Sequence, residues 1–397
     1  MNPHLDALQA YPFERLAALT AGVETMARTG HVPLEIGEPK HAPPDFVIEA
    51  LRDEKALASG LAAYPPTRGG ESLRAVVSEW LARRYGARVD AERQILPVNG
   101  TREALFSFGQ AILSGSGSAR VLLPNPFYQI YEGAAVLRGA APWYIPCAPD
   151  GIPDFDCIDD SVWRGAELVY ICSPGNPTGA VIPEDELRRL IERSDRFDFV
   201  IASDECYSEI YRDESAPPVG LLQAAAAMGN TGFRRCVVFN SLSKRSNLPG
   251  LRSGFAAGDA DIIERFYLYR TYHGCAMPEH VQAASALAWG DEAHVRANRV
   301  RYREKFEVTH PILAEAMDVD MPEASFYLWP RTPLDDETFA RKLYETENIT
   351  VMPGSYLGRW HQGVNAGAHR IRIALVSDLG TCADGVRRIR DFALALH

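Results

Sequence analysis

Lys244 stands in the stretch SLSKRSNLPGLRSGF (residues 241–255), directly after a hydrophobic run. At its ordinary pKa near 10.4 a lysine amine is protonated and not nucleophilic. Burial or a neighbouring cation lowers that value, and the neutral amine can then attack an aldehyde. Ser241 and Ser243 beside it, with Arg252 eight positions on, could hold a phosphate on the same partner molecule; a solvated loop lysine is the other reading. Asp204 ends the run FVIAS, which reads as completely buried. A buried carboxylate needs a partner. It could pair with a protonated ring nitrogen and make that ring an electron sink, or cap a following helix. Tyr207, three residues further, could donate to a phenolate oxygen. Asn176 sits in SPGNPTGAVIPEDEL, where two prolines and two glycines before Ala180 fix a tight loop. In NGTREALF, Gly100 and Thr101 stand where a strand meets a helix, so free backbone N–H groups there would suit a phosphate.

These residues need a scaffold that brings them together. Between about 95 and 260, short apolar runs alternate with amphipathic stretches: QILPVNG, ARVLLPNP, ELVYICSPGNP, DFVIASDECY and RCVVFNSLSK. Such runs read as buried parallel strands with helical crossovers. TREALFSFGQAIL and PEDELRRLIERS are the clearest helices, the second with Pro183 at its start and acidic residues in its first turn. Ligands of open parallel sheets sit beyond the carboxyl ends of the strands. Asn99-Gly100-Thr101, Asn125, Asn176, Asp204 and Ser241 with Lys244 all fall at such ends, which predicts one shared crevice. From about 290 the texture changes to long charged helices with short strands at ASFYLWP and HRIRIALV, a smaller α+β unit. The expected division is an N-terminal arm (1–45) joined to the small domain, a large domain (46–285) and a small C-terminal domain (286–397).

The chain has 397 residues and a formal net charge of -11. That sign argues against a nucleic-acid partner, which needs a basic face. No stretch approaches the roughly 18 apolar residues of a membrane helix, and the N-terminus does not read as a signal peptide. Seven cysteines form no CxxC pair and no Cys/His cluster at metal spacing, so no metal is expected and reduced thiols in a cytoplasmic protein fit best.

With these residues in view, the chain resembles the class I/II aminotransferases of fold type I, which use pyridoxal 5'-phosphate. The motifs run in order over nearly the whole length: IGEP (36–39), YPPTRGGESLR (64–74), NGTREALF, PNPFYQIYEGA, SPGNPTG, SDECYSEI, SLSKRSNLPGLRSGF and RIRIAL (370–375). The resemblance implies an α/β fold with a mostly parallel central sheet flanked by helices, plus a smaller α+β domain. By it, Lys244 binds the cofactor aldehyde and shuttles the proton, Asp204 pairs with the ring nitrogen, and Asn176 and Tyr207 bond the phenolate oxygen. Tyr128 stacks on the ring, with adjacent Phe127 as the residue that could be mistaken for it. Ser241, Ser243, Arg252, Gly100 and the backbone at Thr101-Arg102 hold the phosphate. Tyr64 reaches the phosphate of a neighbouring subunit, which implies a homodimer. Arg372 grips the substrate carboxylate with Gly37 beside it; Arg370, on the same run, would face the same way, and only the motif register chooses between them.

Finer stretches (LSKRSNLPGLRSGFAAGD, RTYHGCAMPEHVQAASALAW) resemble, within that family, the bacterial subgroup of the succinylase route to diaminopimelate and lysine. This implies glutamate as amino donor and N-succinyl-2-amino-6-oxopimelate as acceptor. A substrate with several carboxylates needs cations beyond Arg372, for which Lys40, Arg102 and Arg245 are candidates. Another aminotransferase of aspartate, aromatic or acylated amino acids and a C–S lyase use the same residues. A ligand-sensing regulator does not fit, because IGEP begins too early for a DNA-binding segment before it.

Overall fold

The computed structural model describes residues 1–396. Seven strands form the main sheet, in the spatial order Ile95–Val98, Gly254–Gly258, Cys236–Ser241, Val200–Asp204, Ala166–Cys172, Arg120–Asn125, Ala141–Pro146. Neighbours from Cys236–Ser241 to Ala141–Pro146 pair parallel. The Gly254–Gly258 strand runs antiparallel to both of its neighbours. The five sequence runs account for five of the seven strands, leaving Ala141–Pro146 and this antiparallel strand unforeseen. Its glycines and alanines lack the β-branched signature, and the crowded site explains them. A Cβ on Gly254 would lie 2.6 Å from the Asn240 carbonyl oxygen.

Both faces of the sheet are apolar. Leu122, Val169, Ile171, Ile201 and Val238 enter the core on one face, and Val121, Leu123, Leu168, Ala202 and Val237 the core on the other. This alternation within unbroken hydrophobic runs is what a sheet covered on both sides requires. The helix Thr101–Ile112 packs one face, starting at Gly100, whose φ of 84° makes the turn from strand to helix. Glu184–Phe197 carries Glu184, Asp185 and Glu186 in its first turn, as the helix dipole favours.

Beyond residue 320 a small antiparallel sheet orders Met352–Pro353, Ile371–Ala374 and Tyr327–Leu328. Val32–Pro33 pairs parallel with Ile349–Thr350. Leu34 then donates to Thr350 O (2.9 Å) and accepts from the Ala374 amide (2.7 Å). Residues 32–35 are thereby sewn to the strand that carries Arg372. No described helix is long and apolar enough to cross a membrane.

Candidate active site

A cavity of about 390 Å³ opens where the parallel strands end. Its wall includes Asp204, Ser241, Ser243, Lys244 and Arg252 from the large sheet's loops, and Thr101, Arg102, Tyr128, Asn176 and Tyr207 from neighbouring turns. Gly37 and Arg372 close it from the N-terminal arm and the small sheet. The sheet explains this convergence: parallel strands present all their carboxyl ends on one edge.

Lys244 lies in the single turn Leu242–Arg245, which follows its strand without a linker. Its ammonium is half-buried, donates to the Gly37 carbonyl oxygen, and sits 5.4 Å from the centre of the Phe326 ring. Burial brings its pKa down to about 8, with Arg372 also lowering it against the raising charges of Cys206, Glu38 and Asp204. Asp204 is buried at 4% exposure. It accepts from the Tyr131 hydroxyl (2.7 Å) and the Cys206 amide (3.2 Å). Burial pushes its pKa up, and those hydrogen bonds and Lys244 oppose the shift. No helix begins after Asp204, so the capping role is excluded.

The Arg372 guanidinium donates to Asn176 Oδ1 (3.0 Å) and Glu35 O (2.7 Å) and stacks 4.5 Å over the Tyr327 ring. The hydroxyls of Tyr327 and Tyr207 are 3.0 Å apart. Arg252, itself left-handed at φ 53°, bonds Pro249 O (2.8 Å) and Asn99 O (3.3 Å). A Cβ on Gly100 would meet its Nη2 at 2.1 Å, so only glycine leaves that corner open. Tyr128 lines the cavity; Phe127 instead lies in the core, stacked on Tyr144.

Several sequence expectations are corrected. Asn125 does not join the crevice. It exchanges two hydrogen bonds with the Arg359 backbone, at 2.9 and 3.0 Å, because an adjoining loop packs over that strand end. Arg370 does not share the site of Arg372. The regular strand starts only at Ile371, and Arg370, next to a left-handed His369, forms an isolated bridge with Arg331 instead. Arg370 donates to Trp329 O (2.7 Å) and lines a separate cavity of about 820 Å³. Arg245 is fully buried, bonding Ala288 O, Asp291 O and Glu292, and so serves the fold. Lys40 is exposed and paired with Glu38. Tyr64, expected at a neighbouring subunit's site and so not among these corrections, lies wholly exposed and outside its own chain's cavity.

Sequence reasoning missed Tyr131, Cys206, Tyr327 and Tyr11. Tyr131 stands one helical turn from Tyr128 in PNPFYQIYEGA, a spacing that could have exposed it. Cys206 Sγ lies 2.9 Å from Thr101 Oγ1 and 3.5 Å from Ser241 Oγ, tying the start of the helix Thr101–Ile112 to the end of the strand Cys236–Ser241. Tyr11 comes from far upstream and lies under the Arg102 guanidinium at 5.3 Å. Among the described residues, Glu103, His273 and Cys275 bring metal-type donor atoms within 4.8 Å of one another. Glu103 is already committed to the Asn99 amide and to Arg270, so an ion there would have to compete with a buried guanidinium.

A parallel-sheet edge carrying a low-pKa lysine, a buried carboxylate and an open glycine–arginine corner defines a site for an aldehyde cofactor with a ring nitrogen and a phosphate. The family model "Aminotransferase class I and II" matches residues 29–389. The fold superposes with TM-score 0.94 on an aminotransferase from Neisseria meningitidis, 47% identical over 99% of this chain and 100% of that one. A probable N-succinyldiaminopimelate aminotransferase from Thermus thermophilus gives TM-score 0.82 at 26% identity, covering 96% of this chain and 99% of that one. An LL-diaminopimelate aminotransferase from Halothermothrix orenii is 29% identical over 90% of this chain and 89% of its own. The chain belongs to the class I and II aminotransferase family: it is a pyridoxal-phosphate-dependent aminotransferase with the α/β fold of type I.

The residues fit that cofactor. Bound there, pyridoxal phosphate supplies an aldehyde for an amine and a ring that accepts the electron pair left when a Cα proton departs. Lys244 Nζ is the amine at hand, and its lowered pKa leaves an appreciable neutral fraction near neutral pH. Asp204, buried with Tyr131 holding one oxygen, gives a fixed acceptor for a ring N–H. The open Gly100 corner and the Arg252 guanidinium suit a phosphate.

Proposed function

We propose that this aminotransferase moves the amino group of glutamate onto N-succinyl-2-amino-6-oxopimelate, giving N-succinyl-LL-diaminopimelate and 2-oxoglutarate. The observation that carries the reading is that two arginines line the cavity in addition to Arg252 of the phosphate corner. Arg372 and Arg102 both line it, and neither forms an ion pair among the described residues. Two guanidiniums without a carboxylate partner suit a substrate with carboxylates at both ends. The subgroup motifs and the probable N-succinyldiaminopimelate aminotransferase among the structural relatives support the same acceptor.

In this reading Lys244 holds the cofactor and carries the proton, Asp204 faces the ring nitrogen, and Asn176 and Tyr207 face the phenolate oxygen. Tyr128 covers the ring. Ser241, Ser243, Arg252 and the backbone at Gly100, Thr101 and Arg102 take the phosphate. Arg372, with Gly37, takes the α-carboxylate. Tyr64, fully exposed, completes the site of a second copy in a homodimer. The arm 1–45 works with the small domain 286–397 against the large domain 46–285.

A second reading rests on the curated relatives named LL-diaminopimelate aminotransferase: an unsuccinylated acceptor of the same carbon skeleton. Assays with glutamate and matched succinylated and unsuccinylated acceptors separate the two. Preference for the succinylated acid, reduced in Arg102→Ala, supports the first. Equal rates with both, unaffected by that change, overturn it. Borohydride reduction of the holoenzyme followed by peptide mapping should label Lys244; a label elsewhere refutes its role.

A further inference from the structure

Lys305 lies in the middle of the helix Ala293–Ala314, 2% exposed. Burying an ammonium without an anion is unfavourable, yet no carboxylate pairs with Lys305 among the described residues. Its Nζ donates to Leu375 O (3.1 Å) and Val376 O (3.4 Å), just past the strand that carries Arg372. It also meets His41 Nε2 at 2.7 Å. The other imidazole nitrogen, Nδ1, donates to Asn298 Oδ1 at 2.8 Å, two turns earlier on the helix. Asn298 Oδ1 accepts from Asn247 as well (2.9 Å), and its Nδ2 reaches Lys244 O at 3.4 Å.

The knot joins three segments. The loop 35–41 has Glu35 O on Arg372 and Gly37 O on the Lys244 ammonium. The turn Leu242–Arg245 carries Lys244 itself. The strand Ile371–Ala374 carries Arg372. These are far apart in sequence, and Asn298, Lys305 and His41 lie where they meet, outside the cavity. Burial takes His41 down to about 4, so its imidazole is neutral and Nε2 is free to accept. An apolar side chain at 305 would avoid the desolvation cost but take this donor from His41 Nε2 and the Leu375 and Val376 carbonyl oxygens.

We propose that Lys305 is a positioning residue: with His41 and Asn298 it holds the loop 35–41, the Lys244 turn and the end of the Arg372 strand in the one register that presents Gly37 and Arg372 to a substrate carboxylate. It goes beyond the function proposed above and rests on it only for the carboxylate role of Arg372. The ammonium touches no reacting atom; it acts through the backbone of Leu375 and Val376 and through His41.

The test uses the holoenzyme and two variants, Lys305→Met and His41→Phe, with three measurements. Amide hydrogen exchange of residues 35–41 without substrate should speed up by about tenfold in both. KM for donor and acceptor should rise together by about tenfold, with a smaller change in kcat and an unaltered cofactor absorbance. Folded variants whose exchange and KM match wild type would overturn the proposal and leave Lys305 a packing residue. Should Lys305→Met fail to fold, His41→Phe carries the test, because it leaves the helix and both carbonyl bonds of Lys305 intact. Arg372→Lys serves as control: unchanged KM there overturns the carboxylate role of Arg372, while the substrate-free exchange rates still decide the knot.

Discussion

Gly37→Ala adds one carbon where the site has no room for it. A Cβ at position 37 would lie 1.9 Å from Tyr327 Oη, 2.7 Å from Cζ and 3.0 Å from Cε1. The shortfall from ordinary contact is roughly 1.5 Å. Gly37 does not have a positive φ, so the backbone itself would accept alanine and the clash is the whole effect. Tyr327 cannot swing away freely: it is 2% exposed, bonded to Tyr207 and covered by Arg372. The loop at 37 and the Tyr327 ring under Arg372 must therefore together give way by roughly 1.5 Å, and a misplacement of about 1 Å is enough to cost on the order of 100-fold in rate. We expect kcat/KM to fall by about 100-fold, or about 2.7 kcal/mol of transition-state binding. Overpacking should also remove about 1–3 kcal/mol of stability. The assay is steady-state amino transfer, with cofactor absorbance and calorimetry to establish folding. Tyr327→Phe removes the nearest atom and leaves a shortfall of roughly 0.7 Å. In that background Gly37→Ala should cost only about tenfold, a coupling the double-mutant cycle reads directly. A folded Gly37→Ala enzyme with near-wild-type kcat/KM would refute the reasoning.

Four further outcomes are expected. Tyr131→Phe removes one of the hydrogen bonds that oppose the upward shift of Asp204, so cofactor affinity should fall by about 10- to 100-fold on the scale of a charged hydrogen bond, measured by absorbance titration of the apoprotein. Gly100→Ala puts a side chain on Arg252 at a left-handed position (φ 84°); cofactor and free phosphate should both bind more weakly by equilibrium dialysis, and unchanged affinities would remove that corner from the phosphate site. Arg372→Lys should raise KM for donor and acceptor alike, whereas Arg370→Lys, in a separate cavity, should leave both unchanged. Lys305 has a folded pKa near 8, below its unfolded 10.5. The unfolded state thus binds more protons between those values, and this lysine's contribution to stability rises with pH across that window and is flat below it. The stability difference between wild type and Lys305→Met, from denaturant titrations at pH 7 to 10, should follow that slope in the cofactor-free protein.

The sequence by itself determined five of the seven strands of the main sheet, the class of enzyme and most of the cavity wall. Buried parallel strands must be unbroken apolar runs, so FVIAS and RCVVFN could be read directly. The polar residue that ends each run is carried to the same sheet edge, which placed Asp204, Asn176, Ser241 and Lys244 together. Tertiary structure alone decided what comes from elsewhere. Tyr327 and Tyr11 complete the pocket by packing while Tyr131 backs Asp204 from the core, and an aromatic in an apolar run carries no mark of which cavity it will meet. Arg372 and Arg370 separate because the regular strand begins at Ile371 and Arg370 is bridged to Arg331 beside a different cavity, which spacing alone does not reveal. Arg245 and Asn125 looked equally chemical in the sequence, but burial gave them to carbonyl oxygens and a neighbouring loop. The knot of His41, Asn298 and Lys305 joins residues more than 250 positions apart. Only the docking of arm, helix and small sheet creates it, since hydrogen bonds of this kind depend on positions in space that no local pattern encodes.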